Sequence, residues 1–142
     1  MINALPPEVL VQVLDTLSVR LFWKDRDSRF LGCNKRFAED AGVDDPKEFV
    51  GRSDYFFYHP EIAAAFREDD AEVMFTGQAK LGILEKIVKD CGQVLWLETN
   101  KWPLRNAEGV IVGVIGMYQD VTERVDADNE RCRACFSAMQ AA

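Results

Sequence analysis

The chain has 142 residues, with 17 basic and 24 acidic side chains and a formal net charge of −7, a balance that repels polyanions and so disfavours nucleic acid as a partner. Apolar residues at 48% and charged residues at 29% exclude a disordered chain, and the longest apolar stretch, residues 110–118, falls far short of the roughly 20 residues a membrane helix needs. Pro6, Pro7 and Glu8 stand where a signal peptide would carry basic and then apolar residues, and four scattered cysteines fit a reducing cytoplasm better than a disulfide framework. A cytoplasmic domain without direct membrane insertion is therefore expected.

Pro6 and Pro7 suit a helix start, where the missing N–H costs nothing. Leu10, Val13, Leu14 and Leu17 follow at helical spacing as one apolar stripe. Ser18 breaks the pattern, and residues 19–24 predict a strand. Asp25, Arg26, Asp27 and Ser28 are turn chemistry, so residues 30–33 become the returning strand of a hairpin. Asn34 is expected to cap a short helix bearing Phe37, Ala38 and Ala41 and stopping at Gly42. Asp45 and Pro46 open a second short helix through Phe49, ended by Gly51, and residues 53–57 make one more turn. A longer helix is predicted over residues 60–75, with Thr76 and Gly77 as its stop and the acidic run Glu68, Asp69, Asp70 on its wet face.

Residues 80–89, 94–104 and 110–118 are strand-like. Asp90-Cys91-Gly92-Gln93 and Asn106-Ala107-Glu108-Gly109 separate them, which predicts a three-stranded meander. The order helix, two strands, short helices, three strands is that of an α+β domain, a five-stranded antiparallel sheet with helices packed on one face. Beyond it, Asp120 and Glu123 have capping-box spacing. Val125, Asn129, Cys132, Phe136 and Met139 then sit at four-three positions, barely two heptads of a polar helix.

This element order resembles a PAS domain of the bacterial type that carries a PAC motif. The residues responsible are Asp25 at the hairpin, Asn34, Gly51-Arg52-Ser53-Asp54, Thr76-Gly77, Trp96-Leu97-Glu98-Thr99-Asn100-Lys101-Trp102-Pro103-Leu104, the stretch from Gly109 to Gly116, and Asp120-Val121-Thr122-Glu123-Arg124. Together they span about residues 5–124. The resemblance implies an N-terminal helix over residues 1–18, a PAS domain with its PAC motif over 19–122, and a C-terminal linker helix over 123–142. That tail, from Asn129 to Met139, is similar to the lead-in helix of a further PAS domain, with Cys132 where such helices carry an aromatic.

The implied function is sensory and, for the isolated domain, non-catalytic. A small ligand of unidentified chemistry would occupy an internal cavity and bias a homodimer, whose C-terminal helix passes the signal to an output domain of the same parent chain. Histidine kinases and diguanylate cyclases are the expected parents. The alternative is a ligandless interaction and dimerisation module. Strand alternation sets Leu95, Leu97 and Thr99 on one face and Trp96, Glu98, Asn100 and Trp102 on the other. By the resemblance, the Leu95 face looks inward, as do Val114, Gly116 and Tyr118. The candidate ligand-binding residues are Phe37, Phe57, Phe66, Ile83, Ile87 and Leu97, with Thr99 and Tyr118 as polar anchors; a filled core with both hydroxyls satisfied internally is the competing arrangement. Trp96, Trp102, Ile115 and Met117 would form an apolar outer patch, covered by Leu10, Val13, Leu14 and Leu17 within the chain or across a dimer. Asp120 and Thr122 are the expected transmission residues, fixing the angle at which the sheet hands over to the tail.

Cofactor chemistry finds little support. The resemblance to gas-sensing relatives, whose haem ligand lies closer to the Thr-Gly stop, disfavours haem here, because His59, the only histidine, lies well before Gly77 and ahead of the long helix. Ser53-Asp54-Tyr55-Phe56-Phe57-Tyr58 offers no thiol for a flavin photoadduct. Cys33 reads as a small buried hydrophobe. Cys132 and Cys135 lack the second ligand pair that tetrahedral zinc wants, are expected on a buried helix face, and give no metal site. Glu85 or Glu98 as a catalytic base would have no nucleophile or oxyanion site to work with.

Overall fold

The computed structural model describes residues 6–88 and 91–140, apart from the side chains of Phe136 and Gln140; Lys89 and Asp90, expected at a strand end and its turn, lie outside the described residues. Helix α1 (Pro7–Thr16) starts at the proline pair. Strands β1 (Arg20–Asp25) and β2 (Phe30–Cys33) form the expected hairpin, its turn held by Asp25 Oδ1, which accepts from the amides of Asp27 and Arg29 at 2.9 and 3.0 Å.

Asn34 caps α2 (Lys35–Asp40) by accepting from the Phe37 amide, and it does more than cap. The same Oδ1 accepts from Leu21 N at 3.0 Å, while Nδ2 donates to the carbonyls of Leu14 and Val19 at 3.0 and 2.9 Å. One fully buried side chain thus ties α1, β1 and α2 together, with its polar atoms satisfied as burial requires.

Two short 3-10 turns follow, Pro46–Phe49 under an Asp45 capping box and Asp54–Phe56. Helix α3 (Pro60–Thr76) ends at Gly77, whose φ of 69° is the left-handed conformation that glycine adopts without a Cβ clash. Strands β3 (Lys80–Val88), β4 (Val94–Arg105) and β5 (Ile111–Asp120) then meander into α4 (Thr122–Gln140). All pairings are antiparallel and the strand order is β2-β1-β5-β4-β3. The expected five-stranded layer is present, with the last strand at its centre.

An aromatic cluster joins the hairpin to the short helices. Phe22, Phe30, Phe37 and Phe49 are buried together, and ring centroids 5.0–6.0 Å apart put most of these pairs in edge-on or tilted contact. The expected wet face of α3 is only partly so. Glu68 is exposed and Asp69 pairs with Lys80, but Asp70 is fully buried. The reason is helical phase: Ala63, Phe66, Asp70 and Val73 are spaced by three or four residues, and that stripe faces the sheet.

Candidate functional site

Sheet curvature and the helices on its concave side enclose a cavity of about 490 Å³. Each strand that reaches it contributes alternate residues, as pleating requires. From β1 come Phe22 and Lys24; from β3, Glu85 and Ile87; from β4, Leu95, Leu97, Thr99 and Lys101; from β5, Tyr118 and Asp120. Phe37 and Asp40 on α2, Asp54, Tyr58, and Phe66 on α3 supply the opposite wall.

Four buried charges sit at the inner end. Lys24 Nζ donates to Asp54 Oδ2 and Asp70 Oδ2, each at 2.7 Å, and Lys101 Nζ donates to Asp70 Oδ1 at 2.8 Å and to the Phe66 carbonyl at 3.2 Å. Side-chain exposures run from 0 to 3%. Two ammonium groups and two carboxylates cancel in charge, which is what makes such burial tolerable. Rings add to the compensation: Lys24 Nζ lies 4.8 Å from the Phe30 centroid and Lys101 Nζ 5.7 Å from that of Phe66. Burial alone would push the Asp70 carboxyl up, but the two lysines outweigh it and hold it below the usual carboxylate range. Asp54 has one lysine partner, and burial wins there, raising it.

A second network lines the outer part. Tyr118 Oη donates to Asp40 Oδ2 at 2.9 Å, and Arg20 Nε donates to the same oxygen at 2.7 Å. This joins β5, β1 and α2 across the cavity wall. Burial holds the phenols of Tyr58 and Tyr118 neutral well above their ordinary range. Glu85, on the edge strand β3, is half-buried and makes no hydrogen bond or ion pair to any other described residue; burial raises its carboxyl above the ordinary 4.5 against the weaker opposing pull of Lys101 and Lys80.

Of the eight residues expected to touch a ligand, Phe37, Phe66, Ile87, Leu97, Thr99 and Tyr118 line this cavity. Phe57 and Ile83 do not, a correction in each case. Phe57 is drawn off by stacking on Phe49 at 4.0 Å between centroids, while Ile83, opposite Thr99 and in phase with Glu85 and Ile87, sits at the end of β3 next to its register irregularity and outside the lining. Tyr118 is not a free anchor, since Asp40 already takes its hydroxyl hydrogen. Apart from Glu85, already a candidate cavity carboxylate, the charged wall residues were missed, although the signal was there: Lys101 continues the inward phase of Leu95, Leu97 and Thr99, and Lys24 shares the phase of Phe22.

The exit from the sheet is latched. Asp120 Oδ1 accepts from the amide of Thr122 at 2.9 Å and from its hydroxyl at 2.6 Å, and Thr122 Oγ1 in turn accepts from Trp96 N at 2.9 Å. Val121 N donates to the Trp96 carbonyl at 2.8 Å. An Arg124–Glu98 ion pair adds a clamp one turn along. The start of α4 is therefore bound to β4 as well as to its own strand.

Within the chain α1 packs against α2, and Leu10, Val13 and Leu17 remain exposed while Leu14 is half-buried. Trp96, Trp102, Ile115 and Met117 are half-buried on the convex side. His59 is exposed at the N-cap of α3 and lines no part of the cavity. Cys33 is buried, its thiol pushed up to about 12 by desolvation. Cys132 and Cys135, expected on a buried helix face, are instead exposed, because α4 meets the rest of the chain near its start, against β4. Among the described residues no cluster of metal-ligating side chains is found, and no helix is long and apolar enough to cross a membrane.

A family model described as PAS fold matches residues 14–126. A methanogenesis regulatory histidine kinase, FilI, of Methanothrix harundinacea is 29% identical over 118 residues, which are 83% of this chain and 13% of that protein. The VqmA–ligand–DNA complex of Vibrio cholerae superposes with a TM-score of 0.75 at 27% identity, covering 94% of this chain and 60% of VqmA. The PAS domain of Bordetella pertussis BvgS superposes with a TM-score of 0.68 at 19% identity, covering 92% and 96% of the two chains.

Proposed function

The chain belongs to the PAS fold family, and from that premise we propose that this sensory domain binds a small molecule in its cavity and passes the event to α4. The observation that carries the proposal is the path of one strand. Tyr118 forms part of the cavity wall, and two residues on, Asp120 begins the latch that holds α4 to β4. A ligand that shifts β5 therefore acts on the helix through covalent geometry. It must favour one arrangement of this joint over another, since equal affinity for both moves nothing.

Phe37, Phe66, Ile87, Leu97, Thr99 and Tyr118 are the proposed ligand contacts, joined by Lys24, Glu85 and Lys101; Asp120 and Thr122 are the transmission residues. The isolated domain is a sensory module without chemistry of its own. Similarity to FilI supports a histidine kinase as the parent over a diguanylate cyclase. VqmA was crystallised with both a ligand and DNA; for this chain a net charge of −7 argues against contact with a polyanion by the domain itself.

Native mass spectrometry of gently purified protein, followed by a thermal-shift screen of metabolites, tests the proposal. A retained or stabilising small molecule is expected. A protein that carries nothing and responds to nothing would instead be a dimerisation spacer. One observation favours that second role independently: Leu10, Val13 and Leu17 form an exposed apolar face on α1, suited to a second copy of the chain.

A further inference from the structure

Charge accounting around the cavity narrows its ligand. Its walls carry three cationic side chains, Arg20, Lys24 and Lys101, and four acidic ones, Asp40, Asp54, Glu85 and Asp120. Every cation is engaged by a carboxylate: Arg20 by Asp40, Lys24 by Asp54 and Asp70, Lys101 by Asp70. Asp120 is held by Thr122. Glu85 alone among these acids has no hydrogen bond or ion pair to another described residue: it stands in the wall beside Ile87, Leu95 and Leu97, and the lysines that act on it at longer range, Lys101 and Lys80, are held by Asp70 and by Asp69 and Glu72.

Each simple ligand class meets this differently. An organic acid would bring a fifth carboxylate to walls whose cations are already paired. A purely apolar molecule would strip water from Glu85 and return nothing, at a cost that rises steeply for a charged group. A protonated nitrogen would supply the missing partner, and the Tyr58 ring in the same cavity, which neither lysine faces, suits a cation with a flat or compact apolar body.

We propose that the cavity binds a small organic cation, an aliphatic or aromatic amine or a protonated ring nitrogen, whose N–H donates to the Glu85 carboxylate. This rests on the cavity being a ligand site, and the experiment separates the two ideas. Three probes of similar size are used at millimolar concentration: phenethylamine, 2-phenylethanol and 3-phenylpropionate. Amide shifts of Leu97, Thr99 and Tyr118 in ¹H–¹⁵N spectra of the whole chain report occupancy. The amine is expected to shift these signals and bind most tightly. Glu85→Gln is expected to weaken it on the order of tenfold or more, as for loss of a charge-assisted hydrogen bond, whereas Glu108→Gln in the exposed turn between β4 and β5 leaves it unchanged. If the alcohol or the acid moves the cavity signals and binds better than the amine, the ligand class is wrong and the site survives. Amine binding that is indifferent to Glu85→Gln overturns the role of Glu85. If none of the three probes moves those signals, both the ligand class and the ligand site fall.

Discussion

Lys24 and Asp70 are separated by 46 residues of sequence and meet at 2.7 Å with side-chain exposures of 1% and 0%. The contact pins the central helix α3 to β1 and, through Lys101, to β4. It is the polar keystone of a cavity otherwise walled largely by rings and aliphatic chains, and it fixes how far the helix stands from the sheet.

Replacing Lys24 by Met should destabilise the domain by about 3–5 kcal/mol, because it leaves Asp54 buried without its cation and Asp70 with only one. Urea denaturation measures the loss. Adding Asp54→Asn should recover part of it, so that the two changes are not additive.

Glu85→Gln should stabilise the unliganded protein at neutral pH. The folded carboxyl titrates above its ordinary 4.5 because burial disfavours the charge, so the folded state binds more protons than the unfolded one between those values and stability falls as pH rises through that window. The variant removes the penalty. Its advantage in urea midpoint should vanish below about pH 4, where the carboxyl is protonated in both states. An equal advantage at every pH would show that charge is not the cause.

Thr122→Val should loosen the root of α4 while sparing the sheet. The Trp96 amide loses its acceptor and Asp120 loses one donor. Hydrogen exchange should accelerate at Trp96 and over the first turn of α4, with little change at Val114. In a full-length parent, Asp120→Ala should alter output with or without ligand; unchanged output would remove these residues from transmission.

Tyr118→Phe should cost only about 0.5–1.5 kcal/mol, the usual net worth of one hydrogen bond, since Asp40 keeps Arg20. A thermal melt compared with Asp40→Asn, which disturbs both partners, would rank the two as expected.

Gly113→Ala tests how closely β1 and β5 approach. An added Cβ would fall 1.9 Å from the Lys24 carbonyl oxygen, backbone that cannot swing aside. A loss of about 1–3 kcal/mol or more is expected in urea denaturation.

The layer and its helices were legible because local chemistry marks their ends: the proline pairs, the Asn34 and Asp45 caps, the Gly77 stop. The cavity's apolar wall was legible from strand alternation. Its charges were not. Asp70 sits in a run of three acids that looks solvated, and only its phase with Ala63, Phe66 and Val73 sets it apart. Lys24 and Lys101 are the residue type least expected inside, and nothing local announces partners that arrive from a helix far along the chain. Phe57 was misplaced for a related reason, since one Phe among nine carries no label saying which ring it will stack upon.

The position of β5 between β1 and β4 also has a temporal meaning. As the ribosome releases the chain, the N-terminal hairpin must wait, one edge unsatisfied, until nearly the last residues of the domain emerge to join it to the meander. Such remote pairing makes for slow folding, and a nascent chain halted before residue 111 would expose two incomplete ribbons, each open to the wrong neighbour.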